Sequence, residues 1–102
     1  MNLTFVDQPD NNRYVALDGN TEAGFVEYIR THGDLIVFTH TEVIPEFEGH
    51  GIGSALAKHV LDMARDEGLK VLPLCPFIAD WMTRNPEYKA LSYRAKASNV
   101  KD

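Results

Sequence analysis

The stretch TEVIPEFEGHGIGSALAKHVLDMARDEG, residues 41–68, decides how the chain folds. Gly49, Gly51 and Gly53 fall within five positions, and a pattern of helical period begins directly behind them. A glycine inside a helix costs about 1 kcal/mol against alanine. Glycines crowded at a helix start therefore imply backbone that must go where a side chain cannot. From Gly51 to Glu67, Ile52, Leu56, Ala57, Val60, Leu61 and Ala64 sweep about half of a helical circumference, and Lys58, Asp62, Arg65 and Asp66 fill the rest. Gly68 suits the helix C-terminus.

Upstream, the pattern is of strands separated by turns. LTFV (3–6) is short and β-prone, QPDNN (8–12) breaks it, and RYVAL (13–17) follows. DGN (18–20) is a strong hairpin signal, because Asp, Gly and Asn tolerate positive φ. EAGFVEYIR (22–30), the turn THGD (31–34) and LIVFTHTEVI (35–44) complete an antiparallel meander. Strict alternation along the last strand puts Ile36, Phe38, His40, Glu42 and Ile44 on one face and Leu35, Val37, Thr39, Thr41 and Val43 on the other. Both faces start apolar and turn polar, as in a covered central strand whose end opens onto something polar. Pro45 ends the strand or bulges it.

Downstream, LKVLPLCP (69–76) reads as another buried strand, interrupted by Pro73. In FIADWMTRNP the i,i+4 pairs Phe77 with Trp81 and Ile78 with Met82 give a short amphipathic helix, stopped by Asn85-Pro86. The end from Ser92 is polar and reads as a frayed tail, so the core spans about residues 10–91 of a single domain, 1–102. The elements read as α+β: an antiparallel strand meander and a further buried strand, with helices packed on the sheet.

At 102 residues the chain fits one small domain, and 44% hydrophobic residues suffice for one core. A net charge of -5 argues against a nucleic-acid surface and is compatible with cationic substrates. The single Cys75 rules out an internal disulfide framework and fits a reducing compartment. The N-terminus has neither a basic start nor a long apolar run, so the expectation is a cytoplasmic protein without a signal peptide or membrane anchor. The expected assembly is a monomer or weak dimer.

A strand, a glycine turn and a buried helix together make a common device for binding a phosphate-bearing group. The first helical N–H groups lack internal partners, and the helix dipole adds about half a positive charge there. Neither GxxxxGK[ST] nor GxGxxG in a βαβ setting is present, which excludes the two familiar phosphate loops. A tight strand-to-helix turn is the plainer use of the same glycines.

The segment EFEGHGIGSALAKHVLDMARDEG resembles the acetyl-coenzyme A loop of the GNAT superfamily of N-acetyltransferases, whose signature is Arg/Gln-x-x-Gly-x-Gly/Ala. Gly51 and Gly53 match its glycines, whereas Glu48 stands where arginine or glutamine is usual. HTEV, GHGIGSAL and CPF…NPEY, in this order in a chain of about a hundred residues, look like the small YjdJ-type branch of that superfamily. The resemblance implies a splayed mixed sheet, with segment 35–44 as the bulged strand and 69–75 as its parallel neighbour. It implies acetyl-CoA, or coenzyme A, as co-substrate and an amine of unknown identity as acceptor.

On that likeness Gly49, His50, Gly51, Ile52, Gly53 and Ser54 offer backbone donors to the pyrophosphate. An N–H near Val43 serves as oxyanion donor. Cys75 is either a transient acyl acceptor or a wall of the acetyl pocket, and by itself a packed small hydrophobe; a nucleophilic role calls for His40 or another cation beside it. His40 is either hydrogen-bonded structure or the base for the incoming ammonium, with Glu42 orienting it or attracting a cation. Tyr88 is open between general acid and surface aromatic packing, and Asn85 between helix stop and contact for the pantetheine arm. Phe77 and Trp81 read as core, His59 as structural and His32 as solvated. His40, His50 and His59 form no i,i+4 pair beside the lone thiol, so no metal site is expected. The function this implies is acetyl-CoA-dependent N-acetyl transfer to a primary amine; the alternative is a CoA- or acyl-CoA-binding module with little turnover.

Overall fold

Turn chemistry sets the order of the first strands. In the computed structural model, which describes residues 1–93, β1 (Leu3–Gln8) runs into a 3-10 turn at Pro9–Asn11. Asn12 closes that turn at φ 54, a left-handed conformation asparagine accepts. β2 (Arg13–Asp18) and β3 (Thr21–Arg30) are joined through Gly19 at φ 62. β4 (Leu35–Val43) completes the meander, and α1 (Ile52–Asp66) carries the chain to β5 (Lys70–Pro73). α2 (Pro76–Arg84) and a 3-10 turn at Pro86–Leu91 close the described part. The five strands form one sheet in chain order, antiparallel except for the parallel pair β4–β5. This is the α+β architecture expected from the sequence. The frayed-tail reading falls largely outside the described residues; Ser92, its first residue, is bridged to Val71 beside β5.

The helices lie on one face of the sheet. Ile52, Leu56, Ala57, Val60, Leu61 and Ala64 of α1 are all buried, so the helical arc holds residue for residue. They pack against Ala16, Val26, Tyr28, Ile36 and Phe38 of the strands and Ile78, Trp81 and Met82 of α2. Each large side chain buried there contributes about 1.5–3 kcal/mol.

Strict alternation along β4 does not hold. Tyr28 pairs with Phe38 and Glu27 with His40, which leaves Thr39 as an extra residue, a β-bulge. One inserted residue moves every later side chain to the other face. Ile36 and Phe38 belong to the helix-facing core, but beyond the bulge Thr41 and Val43 face the helices. His40 and Glu42 face away, opposite Glu27 and Phe25. The face shared by Phe38, His40 and Glu42 in the sequence reading is therefore corrected.

The bulge is followed by a splay. β5 pairs with β4 only from Leu35 to Phe38, because Pro73 has no N–H to continue the ladder. The last link is the Cys75 N–H donating to the Phe38 carbonyl at 2.9 Å. Thr39–Val43 thus runs on with no strand on its β5 side among the described residues.

Candidate active site

Between β4 and α1 the chain makes a 3-10 turn, Pro45–Phe47, and then the glycine loop. Gly49 sits at φ 84 and Gly51, the residue that caps α1, at φ 76, both left-handed. Gly53 is different. A Cβ there would lie 2.9 Å from Phe77 Cζ, so this glycine lets α2 pack against the first turn of α1. Conformation and packing thus explain all the glycines, and what remains for a ligand is the amide row they leave bare. The Glu48 N–H donates to the Pro45 carbonyl at 3.2 Å and the Ala55 N–H to the Gly51 carbonyl at 3.0 Å. Between them, the N–H groups of residues 49–54 have no backbone or side-chain acceptor among the described residues.

No acidic side chain occupies the first turn of α1, and no side chain caps it. Loose amides and the positive end of the dipole make an anion site there. The loop borders a cleft of about 260 Å³, closed on its other sides by Val43, Phe47 and Phe77. Glu48 lines the cleft rim and is exposed. Phe77, expected in the core, is half-buried at this cleft. A second cleft of about 200 Å³, between Pro73, Met82, Thr83 and Lys89, contains none of the candidate catalytic or cofactor-binding residues.

The free edge of β4 adds directed backbone groups. The Ile44 N–H donates to the Ala23 carbonyl at 2.9 Å, which makes that couple a hydrogen-bonded antiparallel pair. Bonded and non-bonded pairs alternate, so Gly24–Val43 and Val26–Thr41 are non-bonded pairs. The N–H groups of Thr41 and Val43 accordingly point away from β3, into the splay. Gly24 is needed for this arrangement: a Cβ there would meet the Glu42 carbonyl oxygen at 2.7 Å and Ile52 Cγ2 at 3.2 Å. Sequence reading treated it as an ordinary strand residue, although an isolated glycine within a strand marks close approach of backbone.

The titratable candidates divide between the two sides of the sheet. Cys75 is 3% exposed, caps α2, and holds its Sγ 3.3 Å from Thr41 Oγ1 on the helix side. His40 Nε2 and Glu42 Oε1 are paired at 3.1 Å on the outer side, both more than half exposed, with the His40 ring 6.1 Å from Phe25. The Cys75–His40 contact that a His-activated thiol calls for is not formed; the bulge at Thr39 separates them, and Thr41 takes the place beside sulfur. The glycine loop, Val43 and Cys75 are brought to the helix side of the splay, while His40 and Glu42 reach it from the other.

Other candidates have structural work. Asn85 sits at the far end of α2, and its Nδ2 donates to the Trp81 carbonyl at 2.8 Å, which caps the helix rather than reaching the splay. Tyr88 is buried, 5% exposed, and donates to Asp62 Oδ1 at 2.6 Å beside Trp81, so it is neither surface packing nor free to protonate a thiolate. The Asp62 bond and burial raise the Tyr88 pKa. Burial alone would raise the Asp62 carboxyl, but the hydrogen bonds from Tyr88 and Lys58 outweigh it and hold that carboxyl below its ordinary value. His59 is structural as expected: its ring stacks on Phe5 at 4.4 Å, and burial lowers its pKa. His32 is exposed in its turn and His50 in the loop. Among the described residues no group of three or more His, Cys, Asp or Glu side chains converges as a metal site would. No helix among them is long and apolar enough to cross a membrane.

A splayed mixed sheet with an amide-rich helix start beside the splay sets an anion site next to a free strand edge. Residues 13–91 match the family model of the GCN5-related N-acetyl-transferases, and the chain belongs to that family. Acetyltransferase is the class of enzyme its fold and membership define. It is similar to the NMR solution structure of a GCN5-like candidate N-acetyltransferase from Staphylococcus aureus, with 26% identity, a TM-score of 0.69, and coverage of 89% of this chain and 88% of that one. It also resembles in fold an IAA acetyltransferase from Bacillus cereus ATCC 14579, at 24% identity and a TM-score of 0.52. That match covers 60% of this chain and only 41% of the Bacillus protein. No curated protein matches the chain.

Proposed function

We propose that the protein is an acetyl-CoA-dependent N-acetyltransferase of the small YjdJ-type branch, acting on a primary amine in the cytoplasm. The observation that carries this is the run of unpaired amides at residues 49–54, set beside the free edge of β4. Those amides would hold the pyrophosphate, and the backbone groups of Thr41 and Val43 would pair with the pantetheine arm. When bound, the co-substrate supplies an activated acetyl thioester. The Val43 N–H, in the plane of the sheet, would stabilise negative charge on the acetyl oxygen. Cys75 walls the helix side.

The outer side suits the amine. With the Nε2–H of His40 donated to Glu42, which holds the imidazole in place, its Nδ1 accepts a proton from the incoming ammonium, directly or through water. Glu42 and Glu27 lie opposite Phe25 and His40 on this face and favour a cationic acceptor. The base and the acyl-bearing side are thus separated by one layer of backbone. Direct transfer needs no nucleophile from the protein, and the distance of Cys75 from His40's face favours it over a route through the thiol. Only the three-residue turn Pro9–Asn11 joins β1 to β2, so no helix there covers the acceptor face. This openness is the observation behind the second reading, a CoA-binding module with little turnover.

Calorimetry with acetyl-CoA and CoA, followed by acetyl transfer to a panel of polyamines, peptides and protein lysines, tests both. Binding with turnover supports the enzyme and binding without turnover the module. No binding removes both.

A further inference from the structure

We propose that Thr41 is a positioning residue for Cys75, a role that rests on the reading that the acyl group is delivered beside this thiol. The contact follows from the bulge. Without the bulge at Thr39, strict alternation would turn Thr41 away from the helices and bring His40 to the sulfur's side. With it, Thr41 lies on the helix side, and its Oγ1 stands 3.3 Å from Cys75 Sγ.

Both partners are held rigidly. The Cys75 N–H is tied to the Phe38 carbonyl at 2.9 Å, its own carbonyl accepts the Ala79 N–H at 3.1 Å, and Pro76 fixes the next φ. Thr41 is β-branched, stiff at χ1, and sits in a strand paired with Val26. The two backbones are thus fixed, and only rotation about χ1 of one side chain parts the two atoms.

The chemistry is asymmetric. A neutral thiol and a hydroxyl can each donate to the other, and one hydrogen lies between them. A sulfur bearing negative charge can only accept, so the hydroxyl then becomes the donor, in a stronger, charge-assisted bond. Thr41 therefore fixes the direction of the thiol hydrogen in one state and stabilises the thiolate in the other. A valine, of the same shape, keeps the packing and can do neither.

Cys75 is the chain's single cysteine, so its ionisation can be followed without background. The test is an equilibrium pH titration of thiolate ultraviolet absorbance, with the Cys75→Ser protein as blank, in wild type, Thr41→Val and Thr41→Ser. Thr41→Val is expected to shift the transition to higher pH, leaving about tenfold less thiolate at neutral pH. Thr41→Ser is expected to stay within about twofold of wild type, because the donor is kept. Circular dichroism confirms that each variant is folded. In acetyl transfer, kcat falls about threefold in Thr41→Val, no further than in Cys75→Ala, because Thr41 acts through the pocket wall that Cys75 forms; KM holds, and Thr41→Ser restores kcat.

Superimposable titrations of wild type and Thr41→Val would overturn the pairing. A shifted titration with unchanged kcat would overturn its role in the reaction. An inactive wild type would instead refute acetyl transfer, while the titration, which contains no acetyl-CoA, would still decide the pairing.

Discussion

Replacing Gly24 with alanine puts the geometry of the splay under the most direct strain. The added methyl would lie 2.7 Å from the Glu42 carbonyl oxygen, 3.2 Å from Ile52 Cγ2 and 3.3 Å from Leu56 Cδ1, where ordinary contact begins at 3.4 Å. The nearest atom is backbone, so no rotamer change relieves it. The other neighbours are fully buried residues of α1. Overpacking of this kind costs about 1–3 kcal/mol, and alanine's lower unfolded-state entropy returns about 0.4–1 kcal/mol. With backbone as the nearest neighbour, the net loss should be about 2 kcal/mol, a fall in Tm of about 8–16 °C for a domain of this size. Gly33→Ala is the control, because a Cβ there meets nothing within 4 Å. Thermal unfolding of the three proteins, followed by circular dichroism, reads the effect. Equal melting of Gly24→Ala and wild type would refute the close approach of β3, β4 and α1 at the site.

Tyr28, buried and donating to Asp7 Oδ1 at 2.5 Å, has a pKa pushed up from 10.0 to about 12 by burial and then by that carboxylate. A raised value stabilises the fold fully below pH 10 and the stabilisation is lost as pH rises through about 12, so wild type should lose Tm across that window more steeply than Tyr28→Phe. His59 has the opposite sense: its lowered pKa stabilises the fold above 6.5 and is lost on acidification, and His59→Phe should flatten that limb while keeping the stack on Phe5. Glu48→Gln removes a negative charge from the cleft rim and should tighten acetyl-CoA binding about threefold at low salt by calorimetry, less at high salt. Direct transfer leaves Cys75→Ala with acetyl transfer within about tenfold of wild type; loss of about a thousandfold or more would establish the covalent route.

The elements were legible because each carries a local signal. The apolar arc of α1, the hairpin at Asp18–Gly19 and the helix stop at Asn85-Pro86 are short-range chemistry. The faces of β4 were not legible past Phe38. A bulge is a pairing event between strands, and nothing in FTHTEV says that Thr39 is the extra residue. Counting by twos through it placed His40 and Glu42 on the wrong face and hid Thr41. The glycine loop was located correctly, yet Gly53 proved to be spaced for Phe77, a neighbour 24 positions on that only the tertiary packing reveals. Tyr88 was open for a related reason, since its partner Asp62 lies 26 positions away, whereas the bond of Asn85 to the Trp81 carbonyl is the helix stop already legible in sequence. Gly24 was the one overlooked residue with a visible cue.

Backbone amide chemical shifts of the isotopically labelled chain, followed as acetyl-CoA is added, test the anion-binding helix start most directly. The largest changes should fall on the N–H groups of residues 49–54, with a second group at Thr41 and Val43. Saturating acetyl-CoA that leaves all of these resonances in place would contradict it.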